Sequence, residues 1–216
     1  VLKDKQQFVS DFMLENLDRQ LFIFLNSHNN PFWDEVMAAI SGILIWVPLY
    51  IAILVWIGIK YKRKFLLIIP FIILAATFAD QASVHLFKNV FHRLRPCHEP
   101  ALQGMVHLVD CYCGGLYGFV SSHASNSFNV AVISLLFIKK KWFSVFILFW
   151  ASVVGYSRIY LGVHYPGDVL SGALLGALIG WGIYKLYKKA DVKITEQRNN
   201  LRRSKNEEQT NSEIRT

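Results

Sequence analysis

Long apolar blocks, each closed by a few charged residues, run through the chain from residue 36 to residue 187. Residues 36–59 contain no Asp, Glu, Lys or Arg. The block 65–79 is equally free of charge, and helix is expected to continue from it through Asp80, His85 and Lys88 towards Phe91. Three more follow at 119–138, 142–162 and 167–187. A helix crossing a hydrocarbon core needs roughly 20 apolar residues, so the pattern predicts five transmembrane spans. Pro48 is expected to kink the first. The last carries Gly172, Ala173, Gly176, Ala177 and Gly180, small residues at the spacing that lets helix backbones approach closely in lipid.

Residues 4–25 have a different pattern. Phe8, Val9, Phe12, Met13, Leu17, Leu21 and Phe24 share one helical face, with Asp11, Glu15, Asp18 and Arg19 mostly elsewhere. The segment is too charged to span. It reads either as a helix lying along the membrane surface or as a soluble-style helix packed on the bundle. Asn29-Asn30-Pro31 ends it. Residues 92–118 form a polar loop rich in Pro, Gly, His and Cys, and residues 190–216 are polar and mixed in charge, which predicts a disordered cytoplasmic tail. The expected organisation is therefore a surface helix (1–30), a membrane-embedded domain (31–189) and a tail (190–216). The fold class is an all-α, multi-pass membrane helical bundle.

Composition agrees: 53% of the 216 residues are hydrophobic and 18% charged, which excludes an ordinary soluble domain. The net charge of +8 is mainly a topology signal. Lys60, Lys62, Arg63 and Lys64 follow the first span, Lys139 to Lys141 the third, and Lys185, Lys188 and Lys189 the fifth. With five spans these clusters share one side, which the positive-inside rule makes the cytoplasm. The 92–118 loop and the turn between the last two spans then face outwards. No secretory signal is read in the first twenty residues, which carry Asp4, Asp11, Glu15 and Asp18. No nucleic-acid partner is expected.

Chemistry-bearing residues gather at that outer side. Asp168 falls in the first turn of the last helix, which Pro166 opens, and a carboxylate is favoured there. His164 is placed to donate a ring N–H to it, leaving the other nitrogen free and more basic, as a nucleophile requires. Arg158 can aim a guanidinium at phosphate. An interfacial His bonded to a capping Asp is the simpler reading of the same residues. Ser121-Ser122-His123 opens the third span, where hydroxyls and free backbone N–H groups cradle anions and His123 can donate a proton; it also reads as an ordinary helix cap. Lys88 and Arg95, seven residues apart, lie on about the same helical face, although Pro96 disfavours helix at Arg95. Alone they would be cations snorkelling to headgroups. Asp80 is expected to be a structural partner to one of the site cations. His85, His92, His98, His107, Glu99 and Asp110 read mostly as solvated loop residues. Cys97, Cys111 and Cys113 with His98 and His107 make a poor zinc set, because Cys-x-Cys is the wrong spacing. On an oxidising face a disulfide is preferred, Cys97 to Cys113, with Cys111 the rival partner.

Lys88-x6-Arg95-Pro96, Ser121-x-His123 and Ser157-Arg158-x5-His164-x3-Asp168 together resemble the three-part signature of the type 2 phosphatidic acid phosphatase and vanadium haloperoxidase superfamily. The resemblance covers residues 88–168, in order and in spacing. It departs at the second motif, where Val120 and Ser122 stand in place of the family's Pro and Gly. It implies His164 as nucleophile held by Asp168, His123 as the acid and then the base, and Lys88, Arg95, Ser121, Arg158 and the Ser122 N–H as phosphate ligands. No metal or cofactor is implied. The expectation is a phosphatase at the outer face of a bacterial cytoplasmic membrane. Its substrate is a lipid phosphate or pyrophosphate: undecaprenyl pyrophosphate, lipid A or phosphatidylglycerol phosphate, with a lean to the polyprenyl carrier. A haloperoxidase and a non-enzymatic lipid-binding or transport bundle are the rival readings.

Overall fold

The computed structural model describes the backbone of residues 2–111 and 113–214 and the side chains of residues 13–110 and 113–206. Its elements are α1 (Leu2–Ser27), α2 (Pro31–Ser41), α3 (Val47–Tyr61), α4 (Phe65–Gln81), the short α5 (Asn89–Phe91), α6 (Ser122–Ile138), α7 (Lys141–Tyr160) and α8 (Pro166–Ile214). Among the described residues the only pairing of extended backbone is an antiparallel bridge between Leu94 and Tyr117.

The core lies between α4, α6, α7 and α8, where Ile68, Ala75, Phe137, Ile147 and Ala151 are fully buried. Glycines allow α8 to lie directly against α6. A Cβ on Gly172 would meet the carbonyl oxygen of Ser121, one on Gly176 that of Ser125, and one on Gly180 that of Asn129 at 3.0 Å. The small residues of the last span therefore serve backbone contact, as their spacing predicts. The outside of the bundle is apolar: Leu66, Val145, Leu170 and Leu174 are all more than half exposed. Large apolar side chains facing outward around a polar-studded interior fit lipid as the surrounding solvent.

Three segments differ from expectation. The apolar stretch 36–59 is not one helix. Gly42 is extended and turns its N–H back to Ala39 O, ending α2, and α3 starts anew with Pro48 in its first turn. Second, three described helical stretches are long and apolar enough to cross a membrane, Leu44–Phe91, Lys141–Tyr160 and Pro166–Asn206, whereas the pattern predicts five. The first of these holds both α3 and α4, separated by a 3₁₀ turn at Lys62–Lys64, and α6 is apolar but only 17 residues long. Third, α8 continues to Ile214, exposed over residues 192–206, where the pattern predicts an irregular tail. No Gly or Pro follows Gly182, and Lys, Arg, Glu and Gln are good helix formers.

α1 packs by its Asp18–Phe22–Asn26 side. Phe22 and Asn26 are buried, while Met13, Leu17, Leu21 and Phe24 are exposed, Leu17 and Leu21 lining an open cavity with Phe91, Phe119 and Leu170. The helix therefore packs on the bundle, by Phe22 and Asn26. Phe8, Val9 and Phe12, and the alternative disulfide partner Cys111, lie outside the described side chains. Asn26 pins the end of α1 in place, donating to His107 O at 2.9 Å and Tyr160 O at 2.8 Å.

The ends of the bundle are chemically distinct. Lys60 Nζ donates to the carbonyls of Phe137 and Ile138 at the C-terminus of α6, and Lys64 pairs with Asp191 at 2.8 Å. The three basic clusters thus share one end. Ser121, His123, His164 and Asp168 occupy the opposite ends of the same helices.

Candidate active site

Towards its end α4 widens into a π-helical segment, Ala82–Lys88, a form found frequently at functional sites. It brings two side chains to the start of α6. Lys88 Nζ donates to Ser122 Oγ at 2.8 Å, Ser122 Oγ lies 2.7 Å from Ser83 Oγ, and Ser83 donates to Asp80 O at 2.7 Å. The Asp80 carboxylate accepts from Asn126 at 3.4 Å and Gln81 at 3.2 Å, and its charge acts on Lys88. It partners the site cation through the field rather than by direct contact.

Lys88 and Arg95 do not share a helical face. Helix stops at Phe91, His92 takes a left-handed conformation (φ 47°), and Arg95, ahead of Pro96, is extended (φ −71°, ψ 156°). The segment pairs with residues 116–118 instead: Arg95 N donates to Leu116 O at 3.1 Å and Gly118 N to Arg93 O at 2.8 Å. From there Arg95, 8% exposed, reaches inward until Nη1 lies 3.4 Å from His164 Nε2. Cys97 and Cys113 are disulfide-bonded, with Cα atoms 6.0 Å apart, closing the loop that carries Arg95 and leads to Ser121.

Ser121 is the N-cap of α6, its hydroxyl accepting from Ala124 N at 3.4 Å. The hydroxyl that meets Lys88 belongs to Ser122, the residue that departs from the family pattern. His123 follows on the first turn, within the fields of Arg158, His164, Lys88 and Arg95. Ser157 takes no part, since its hydroxyl is bonded to Val154 O inside α7. Arg158 Nη1 donates to Ser41 Oγ of α2.

The turn between α7 and α8 places His164 and Asp168, which are 1% and 0% exposed. His164 N donates to Arg158 O at 3.2 Å, and Asp168 O accepts from Ser121 N at 3.0 Å, so the second and third motifs are tied by backbone. Asp168 Oδ2 accepts from Tyr165 N at 3.0 Å and lies 3.4 Å from His164 Nδ1. The pair is in ion-pair range, but Nδ1 makes no hydrogen bond in this structure; catalytic hydrogen bonds are often long before substrate is bound. Burial pushes the His164 imidazole down from 6.5 to about 4; Asp168 works against the shift, and Arg95 and Arg158 add to it. The ring is therefore neutral at pH 7 and has a lone pair to offer.

Every residue the motifs singled out for the site, Lys88, Arg95, Ser121, Ser122, His123, Arg158, His164 and Asp168, belongs to this one cluster. Three others join it unforeseen. Arg93 Nη1 donates to Asp168 Oδ1 at 2.7 Å, and its Nη2 to Asp18 Oδ2 at 2.7 Å. A Cβ at Gly118 would stand 3.1 Å from Arg95 and Asp168 and 3.5 Å from His164, so it would press on the side chains of the site. An extended reading of residues 93–95 would have put Arg93 beside Arg95. The Asp18 contact had no signal in the sequence, because it comes from a helix 75 residues away. His107 is likewise not a solvated loop residue: it pairs with Asp34 at 3.0 Å, which also accepts from Tyr160 at 2.8 Å.

The family model described as the PAP2 superfamily matches residues 65–191. Lipid A 4'-phosphatase of Bacteroides thetaiotaomicron is 39% identical over 84% of this chain and 81% of its own length. The protein of the same name from Porphyromonas gingivalis is 35% identical, over 82% and 75%. Among solved structures, the PAP2 type phosphatidylglycerolphosphate phosphatase of Bacillus subtilis superposes with a TM-score of 0.64 at 24% identity, over 82% of this chain and 87% of that one. That likeness bears on the fold.

Proposed function

The chain belongs to the PAP2 superfamily, and on that premise we propose that it is an integral-membrane phosphatase acting on a lipid phosphate through a phosphohistidine at His164. The observation that carries the reading is the two-sided setting of His164, with Nδ1 towards Asp168 and Nε2 towards Arg95, both at 3.4 Å. Nε2 attacks phosphorus and the bond to the lipid oxygen breaks. That oxygen takes a proton from His123. Water then gives its proton to His123 and attacks phosphorus, the P–N bond breaks, and inorganic phosphate leaves. Lys88, Arg95, Arg158 and the N–H groups at the start of α6 hold the phosphate oxygens, which gives phosphoryl transfer the charge stabilisation it needs without a metal.

The site lies at one end of the bundle, where a headgroup can enter while its chains remain in lipid. Five spans, in α3, α4, α6, α7 and the first part of α8, put the basic end in the cytoplasm of a bacterial inner membrane and the site outside. The sequence leans to a polyprenyl pyrophosphate. The relatives named above move the first choice to a phosphate on a lipid A-type glycolipid.

Phosphate release by purified protein from lipid A, phosphatidylglycerol phosphate and undecaprenyl pyrophosphate, with and without EDTA, tests this. Lipid A is expected to be hydrolysed fastest, EDTA to have no effect, and His164→Ala to lose about 10³-fold or more. Near-normal turnover by His164→Ala would remove the nucleophile assignment. Preference for the pyrophosphate would restore the polyprenyl carrier.

A further inference from the structure

The reactive pair His164–Asp168 is held from behind by a second ion-paired layer. Asp168 is fully buried, and Arg93 Nη1 takes its Oδ1 at 2.7 Å. This fixes the rotation of the carboxylate, so that Oδ2 faces Tyr165 N and His164 Nδ1. The same guanidinium lies over the Tyr165 ring, 4.2 Å from its centroid, and sends Nη2 to Asp18 of α1 at 2.7 Å. Asp18 makes one contact more: its Oδ1 accepts from Gly167 N, in the first turn of α8, at 2.7 Å. α1 is thereby joined to the reactive pair twice, once through Arg93 and once through the backbone beside Asp168.

We propose that Arg93 and Asp18 are positioning residues for the phosphoryl-transfer step: the Arg93 fork orients Asp168 towards His164, and Asp18 of α1 sets the fork and the first turn of α8. The proposal rests on the phosphatase reading above. The contacts of both residues run to Asp168, Tyr165 and Gly167 and not to His164, so on this proposal neither holds the substrate phosphate. Their effect belongs in kcat and in the basicity of His164, not in KM. A carboxylate that orients a catalytic imidazole acts in this way, and its own partners matter as much as it does. The charged groups that face His164 are Asp168 of α8, Arg95 of the loop, Arg158 of α7 and His123 of α6, with Arg93 and Asp18 behind Asp168.

The contacts yield variants that a merely structural tether would not distinguish. Arg93→Gln removes a positive charge next to Asp168. Asp18→Ala leaves Arg93 to Asp168 alone. The two should both lower kcat, by about 10- to 100-fold, with KM within about twofold. They should move the acid limb of kcat/KM in opposite directions, upward for Arg93→Gln and downward for Asp18→Ala. Arg93→Lys keeps the charge but cannot fork, so kcat falls while the limb stays. Gly167→Ala offers an independent route, because its Cβ would stand 2.7 Å from Asp18 Oδ2 and displace that carboxylate. It should lower kcat as Asp18→Ala does, with a smaller move of the limb because the Asp18 charge is kept.

Arg93→Gln strands a buried carboxylate and can cost the fold. Arg93→Lys, Asp18→Ala and Gly167→Ala then decide the matter. Phosphate release from lipid A in detergent is followed for each, with folding checked by thermal melting. Wild type and His164→Ala are measured first, so that loss of the phosphatase reading shows as no His164-dependent release in the wild type. Folded variants with wild-type kcat would overturn the positioning role. So would variants with raised KM alone, or limbs that move together.

Discussion

At the residue scale the question is how a buried histidine can serve as the proposed nucleophile. Burial depresses the His164 pKa to about 4, so the neutral ring persists down to that pH and is lost by protonation below it. The acid limb of kcat/KM, which reports the free enzyme, should therefore lie near 4 and not near the ordinary 6.5. The profile is measured against substrate whose second phosphate ionisation, at about 6, has been divided out. A limb near 6.5 would mean that His164 is hydrated in solution or is not the group that must be neutral. Residue-scale chemistry was largely legible in the sequence, because the motifs name residue types that phosphoryl transfer needs. Backbone geometry was not. The seven-residue spacing sets Lys88 and Arg95 on one helical face, yet Arg95 lies in the loop beyond Phe91, and the Lys88 contact passes through the hydroxyl of Ser122 while that of Ser121 caps the helix. A hydroxyl reads the same in sequence whether it caps a helix or faces a cation.

At the element scale the crossing of α8 over α6 holds the site together, since it brings Ser121 against Gly172 at one end of the contact. Substitution along that seam is expected to force the helices apart. Gly176→Val, meeting the Ser125 carbonyl, should destabilise by about 1–3 kcal/mol or more and lower activity with it. Gly182→Ala is the matched control: nothing lies within 4 Å of its Cβ, and removing a helix-interior glycine should stabilise by about 0.5–1 kcal/mol. Thermal melting of the two variants in detergent checks both signs. Equal melting temperatures would show that the backbones are not in contact. The spacing of small residues made this seam readable beforehand. The break at Gly42 was not readable in the same way, because the flanking residues 36–59 are apolar on both sides and composition alone carries a helix through.

At the scale of the whole molecule the two ends differ less in how many cations they carry than in how those cations are held. Lys62, Arg63, Lys139, Lys140 and Lys141 are all exposed at one end, where Lys64 pairs with Asp191. At the other, Arg95 is buried, Arg93 is bound between Asp18 and Asp168, and Arg19 pairs with Glu15 and Glu99. Orientation follows Lys and Arg in the loops close to the span ends, with acidic residues counting little, so the clusters around Lys62 and Lys140 should govern topology. A site rich in arginine can thus face outwards without violating the positive-inside rule. The test uses single cysteines in a Cys111→Ser background that keeps the Cys97–Cys113 bridge. Gln103→Cys and Lys140→Cys are suitable, as both positions are exposed and they lie on opposite sides of α6. A membrane-impermeant maleimide should label Gln103→Cys in intact spheroplasts, and Lys140→Cys only after permeabilisation. The reverse pattern would put the phosphatase site in the cytoplasm and make the cations at the site end, not the clusters around Lys62 and Lys140, the determinant of orientation.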